Sequence, residues 1–364
     1  MDRSDSDLLL SEEQAILQKT LRDFVAERVT PAAEALDHDA VHPDALVAGM
    51  AELGLFGILV PTDAGGVGMG HLAHGLAVEE LACGAGGLGA ILAAHGLAAD
   101  ALVGSGIASP LIADAASGAA LLAPALQEDD AQLVTTEAAS VDGGWVLTGR
   151  KVQVAFPGRA AAFVVLARED KSYALFLALA GAAGLRHDGP DERLSLNCLE
   201  TGTVVLDRTP ATRLGGADLV SRVLASARIA VSCLLAGIGR GAVAAAMKYA
   251  HERKQFDRFL HEFVAMQERM SRGDARVEAA RALAHGAARL RDRGEPCGLA
   301  AARARLVAGE AAMSAADDAL QVFGGYGFSR EYPAERFYRD ARFGGFGESH
   351  PPALYLNITK GIAP

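Results

Sequence analysis

Basic charge is in short supply: 34 Lys and Arg stand against 45 Asp and Glu, for a net charge of −11. Phosphate contacts along a nucleic acid need clustered cations, so that class of partner is excluded, while a small anion held by a few local cations is not. Cysteine is scarce as well. Cys83, Cys198, Cys233 and Cys297 are scattered with no Cys-x-x-Cys pair, which gives neither a zinc site nor a disulfide framework. Apolar residues make up 51% of the chain, but alanine and glycine supply much of that. No uninterrupted apolar run reads as long enough to cross a bilayer, since the longest, Ile229 to Ile238 and beyond, meets Arg240. Residues 1–7 are acidic and carry no basic, apolar leader, so a cytoplasmic protein without membrane contact is expected.

Familiar catalytic signatures are missing too. The glycine run Gly65-Gly-Val-Gly-Met-Gly70 has neither the Gly-x-Gly-x-x-Gly spacing nor a following Lys-Ser/Thr pair, and it reads as a turn between helices. Ser349-His350 lies in no Gly-x-Ser-x-Gly elbow, so a hydrolase is not indicated. His71 and His74 near Glu79 and Glu80 have metal-like spacing, but no second cluster completes the coordination and no metal is expected.

What is present is ample length and a change of texture along it. Ser11 with Gln14 makes a capping box before a helix running toward Pro31, and helical segments continue through the alanine-rich region to about Leu122. From about Ala123 to Leu214 the short runs 145–147, 163–166, 173–177 and 203–206, separated by glycines, are β-prone. Long helices follow, over about 219–252, 259–290 and 296–323, and short loops between them imply an antiparallel bundle. In the second, Phe263, Met266, Met270, Val277, Ala280, Ala284 and Ala287 form the apolar face. The expected architecture is α+β in three units: a helical domain (1–122), a β-sheet domain (123–214) and a helical bundle (215–364).

The last fifty residues carry the most information. Met313, Ala316, Leu320 and Phe323 recur at helical spacing, and the helix stops at Gly324-Gly325, where bare backbone permits close approach of another group. A second helix begins at Pro333, and Glu348 follows a run of glycine and phenylalanine.

The ordered set from Ala319 to Phe328, with Gln321 and Gly324-Gly325, then Tyr332-Pro333, Glu335-Arg336 and Arg339-Asp-Ala341, closely resembles the C-terminal signature of the acyl-CoA dehydrogenase flavoproteins. The resemblance covers nearly the whole chain and implies that family's fold. It implies that Glu348, eight residues after Asp340, is the base that takes the α-proton of an acyl thioester. No side chain accepts hydride, so a flavin has to supply that half of the reaction. Keeping the carboxylate from water raises its proton affinity toward what a weakly acidic α-carbon requires. Tyr249 to Phe256 resembles the family's Arg-x-x-Phe element, which assigns Arg253 to the pyrophosphate of FAD and Phe256 to packing on the cofactor. Arg253 on its own reads equally as a solvated cation at a helix end. In the family this Arg, with the Gln and Gly-Gly matched by Gln321, Gly324 and Gly325, reaches a neighbouring subunit's cofactor, so a homotetramer or heterotetramer is implied. Arg228 matches an arginine near the acyl-CoA pocket, and reads equally as a helix-surface charge. The implied partners are an acyl-CoA or carrier-bound acyl thioester and a flavoprotein electron acceptor.

The chain also departs from the pattern. Gln127 stands where a Thr is usual, Ala155 replaces a hydroxyl-bearing residue, and Ser349-His350 replaces Gly-Thr after Glu348. Two or three neutral hydrogen bonds lost at ~0.5–1.5 kcal/mol each would weaken flavin binding by roughly 1–4 kcal/mol. The alternative to an enzyme is therefore a cofactor-lending subunit of a heteromeric complex.

Overall fold

The computed structural model of the chain describes residues 10–130, 133–345 and 351–362. The capping box forms: Ser11 Oγ accepts from Gln14 N at 3.2 Å and Gln14 returns the bond to Ser11 N at 3.1 Å. Helix α1 (Glu12–Phe24) starts there, and one π-helical turn (Val25–Val29) leads straight into α2 (Thr30–Asp39). The helix therefore runs past Pro31 instead of ending before it, with the proline in the first turn of α2 directly after the π-helical turn. Next come α3 (Asp44–Glu52), α4 (Gly70–Gly84), α5 (Gly86–Gly104) and α6 (Leu111–Ser117). The glycine run before α4 is a turn, and Gly66 is required there because a Cβ would collide with the carbonyl of Val60.

Seven strands follow: β1 (Leu121–Ala125), β2 (Glu137–Val141), β3 (Gly144–Ala155), β4 (Ala160–Glu169), β5 (Ser172–Leu179), β6 (Leu185–Asp188) and β7 (Thr201–Gly215). Strand β1 begins just before the end of the expected helical region. The pairings β4–β2, β2–β3, β3–β7, β7–β5 and β5–β4 close five strands into a ring, with β1 added parallel to β4 and β6 antiparallel to β7.

The remainder is helical. Helix α7 (Ala217–Glu252) is 36 residues long and ends at a small hairpin of β8 (Lys254–Gln255) and β9 (Arg258–Phe259). Helix α8 (Val264–Asp292) thus starts five residues later than its periodicity suggests, since Phe256 and Asp257 take left-handed backbone in the hairpin turn. Helices α9 (Gly298–Phe323), α10 (Ala334–Ala341) and α11 (Pro351–Ile362) complete the chain. One apolar core runs from Leu21 and Ile91 through Phe163 and Phe176 to Leu235, Val277 and Phe337, so the helical and β parts share a single interior.

Among the described residues two helices, α5 and α7, are long and apolar enough by length and composition to cross a membrane, which corrects the expectation that no segment qualifies. Their apolar windows are 89% and 78% buried inside the protein. The small side chains that make them apolar let helices pack closely: at Gly237 of α7 a Cβ would strike the carbonyl of Glu79 on α4.

Candidate active site

Three parts of the chain converge on one mostly apolar cleft of about 160 Å³. Helix α5 contributes Ala90, Ala93, Ala94 and Leu97, a stripe at helical spacing, and α7 faces it with Ala227, Ala230, Val231 and Leu234. The β unit closes the cleft with Leu126, Gln127, Gln153 and Ala155, and with Arg193, Leu199 and Thr201 from the segment leading into β7. Phe343 completes the wall.

The polar wall is held from behind. Lys151 and Glu128 form a buried ion pair at 2.6 Å, and Thr135 N and Thr136 N donate to the same carboxylate at 2.7 and 3.0 Å. Burial works to raise Glu128, but the ammonium and these donors outweigh it and hold the carboxyl at about 2. Burial pulls Lys151 down, yet a depressed Glu128 requires the ammonium to stay charged beside it, so the pair is ionised. Val152 N donates to Gln127 O at 3.0 Å, which fixes the 126–128 segment against β3. At Gln153 the strand bulges: its register against β7 shifts between Lys151 and Val154, and Gln153 has φ 53°. Positive φ is uncommon for a residue with a side chain, and a bulge re-aims the residue it carries.

A second junction fixes the opposite edge. Arg193 donates to Leu196 O at 2.8 Å and to Leu199 O. Leu196 N donates to the buried Asp340 of α10 at 2.8 Å. Neighbouring Arg339 binds Asp37 of α2 through two nitrogens, at 2.9 and 2.5 Å, and Asn197 donates to Asp37 O at 3.0 Å. Burial raises Asp340 to about 6.

The positions singled out from sequence fall into three places. Arg228 lies on α7 next to Ala227 but does not itself line the cleft; it is half-buried, and its Nε has no hydrogen-bond partner among the described residues. Glu348 lies outside the described residues, as do Ser349 and His350. The turn that precedes them is anchored: Arg305, 1% exposed on α9, donates to Gly344 O at 2.9 Å.

Arg253, Phe256, Gln321, Gly324 and Gly325 gather at the far end of the bundle. Arg253 caps α7 and stands over the Tyr326 ring at 5.6 Å, while Phe256 is 88% exposed and Gln321, Gly324 and Gly325 are exposed. From Val231 to Arg253 is 22 residues of α7, roughly 33 Å at ~1.5 Å per residue. The tip lies far along α7 from the cleft of its own chain.

His71 and His74 have separate partners. His71 Nε2 lies 3.5 Å from Asp100, and His74, buried, contacts Leu92 O at 3.3 Å. Burial, with His71 nearby, holds His74 down at about 4, so it is neutral. No group of three or more metal-binding side chains occurs among the described residues, and the four cysteines are free. Sequence reasoning missed Arg193 and the left-handed Gln153. It also missed the α5 wall, although the spacing Ala90, Ala93, Ala94, Leu97 was there to be read.

Residues 11–108 match the model of the acyl-CoA dehydrogenase N-terminal domain and residues 215–348 that of the C-terminal domain. Benzylmalonyl-CoA dehydrogenase of Aromatoleum aromaticum is 32% identical, over 98% of this chain and 100% of its own length. The 3-(aryl)acrylate reductase of Clostridium sporogenes is 29% identical over 97% of this chain and 100% of its own. Among solved structures, butyryl-CoA dehydrogenase of Megasphaera elsdenii superposes with a TM-score of 0.91 at 26% identity, covering 100% of both chains. A cleft walled by α5, the β unit and α7, the paired motifs at the tip of the bundle and full-length similarity together establish that this chain belongs to the acyl-CoA dehydrogenase family.

Proposed function

We propose that the chain catalyses the FAD-dependent α,β-dehydrogenation of an acyl thioester, acyl-CoA to trans-2-enoyl-CoA, with Glu348 removing the α-proton. The observation that carries this reading is the apolar cleft whose wall includes Phe343, five residues before Glu348. FAD is the cofactor of the family, and when bound it accepts the hydride from the β-carbon. The cleft fits the flavin ring: its walls are mostly apolar, and its few polar groups, Gln127, Gln153, Arg193 and Thr201, belong to the β unit. Small residues on α5 and α7 leave room for a flat ring where larger side chains would fill the space. Glu348 takes the proton and Arg228 supplies positive charge beside the thioester. Arg253, Gln321 and Gly324-Gly325 complete the cofactor site of a neighbouring copy in a tetramer, with Phe256 packing on that cofactor, and a flavoprotein carrier receives the electrons.

The test is the visible spectrum of the chain purified alone, followed by anaerobic mixing with a panel of acyl thioesters. A yellow protein bleached by a thioester supports the reading. Glu348→Gln should keep the colour and lose ~10²–10⁴ in the bleaching rate, the usual contribution of a general base. A second reading, a cofactor-lending subunit, draws on the hydroxyl missing at Ala155 and the exposed, intact tip. A colourless chain that gains flavin only on mixing with a sister chain would establish that reading instead.

A further inference from the structure

The amides of Gln127 and Gln153 are the least expected groups in the cleft. Both residues line it, Gln127 half-buried and Gln153 exposed, and neither side chain has a hydrogen-bond partner among the described residues. Each sits on backbone that is actively held. Gln127 is locked to β3 through Val152 N and flanked by the buried Lys151–Glu128 pair. Gln153 is held in a left-handed conformation at a bulge that takes it out of the regular alternation of β3. A strained non-glycine residue beside a cavity marks a position where conformation serves something other than the strand.

We propose that Gln127 and Gln153 hydrogen-bond the polar edge of the flavin ring, supplying through amides the contacts that Ala155 cannot make. A flavin has an apolar benzenoid end and a pyrimidine end that presents one N–H between two carbonyl oxygens. A carboxamide offers two donors and one acceptor and so complements that edge, whereas a hydroxyl offers a single donor. The inference rests on the reading of the cleft as the flavin site. It makes the departures at Gln127 and Ala155 a rearranged set of contacts, not an eroded one.

The experiment uses the full-length protein stripped of flavin and titrated with FAD, with Gln127→Met and Gln153→Gly compared to the parent. Glycine at 153 removes the amide and also relieves the left-handed backbone, so that variant should be at least as stable as the parent in thermal unfolding while binding FAD more weakly. Each variant is expected to raise the Kd for FAD about 3- to 10-fold, the loss of one neutral hydrogen bond, and the double variant about 10- to 100-fold. The visible absorption bands of the bound flavin should also move. Unchanged Kd and spectrum in both variants would overturn the proposal. So would unchanged FAD binding with weakened thioester binding, which would assign the amides to substrate. A parent protein that takes up no FAD, alone or with a sister chain, would remove the cofactor reading itself and this proposal with it.

Discussion

The crossing of α4 with α7 and α8 and the cleft beside α5 both gather polar side chains, and they are treated in opposite ways. At the crossing, Glu79 is fully buried and accepts from Arg281 Nε at 2.7 Å, His285 Nε2 at 3.0 Å and Arg240. Glu80 beside it accepts from Arg22 and Arg240 at 3.2 and 3.3 Å. At the cleft, the half-buried Gln127 and the exposed Gln153 bond to nothing among the described residues. Charge that serves architecture is consumed within the chain. The polar groups that line the cleft sit on backbone that is held in place and are left open in front.

The contrast breaks most visibly at Glu79. Burial acts to raise its carboxyl, but Arg281, Arg240 and His285 together hold it far below the ordinary range. Glu79→Ala leaves two buried guanidiniums without that partner and should cost about 3–5 kcal/mol in urea unfolding. The sign with pH follows from the depressed carboxyl: the stabilisation is present above the ordinary glutamate pKa, about 4.3, and fades only as pH falls well below it. If Glu79→Ala costs under ~1 kcal/mol, the crossing is not the structural tie described above.

Asp340 lies between the two extremes, buried at the junction that shapes the cleft yet raised to about 6, chiefly by burial. Its contribution is fully present below the unfolded value near 3.8 and is lost as pH rises through about 6. Asp340→Asn keeps an oxygen for Leu196 N and should be more stable than the parent at pH 7–8, by on the order of 2 kcal/mol. The difference should vanish near pH 4. Denaturant midpoints across that range decide it.

At the open end of the comparison, Arg253→Ala removes a half-buried guanidinium, and the stability of the isolated chain should change by less than ~0.5 kcal/mol. FAD affinity of the assembled protein should fall by on the order of 2 kcal/mol, the worth of hydrogen bonds to a charged group. The smallest effect is a gain: Ala155→Thr restores a hydroxyl to the cleft wall and should tighten FAD binding by up to about 1 kcal/mol, read by fluorescence titration.

Legibility from sequence tracked how local the determinant is. The Ser11–Gln14 box and the β-prone runs depend on neighbours a few residues away and formed as read, while in the α9 seam Ala316 and Phe323 are buried and Met313 and Leu320 only half-buried. The start of α8 was misread because Phe259 continues its period while lying in a hairpin that Phe256 and Asp257 turn. The membrane test misled in the other direction, since alanine and glycine on α5 and α7 were discounted as weakly apolar when their smallness is what buries those helices. The Glu79 cluster joins residues about two hundred positions apart, and no spacing rule reaches that far. The cleft's polar wall was half visible: Gln127 and Ala155 stood out as departures, but the backbone that presents Gln153 is set by a register shift against β7.

Helix α7 is 36 residues long and carries the cleft residues Ala227 to Leu234 in its first half and Arg253 at its far cap. On the proposed reading a solitary copy holds parts of two different sites, and a complete site needs a second copy. Progressive dilution should bleach the protein before it unfolds it, with the loss of colour following the dissociation of its subunits.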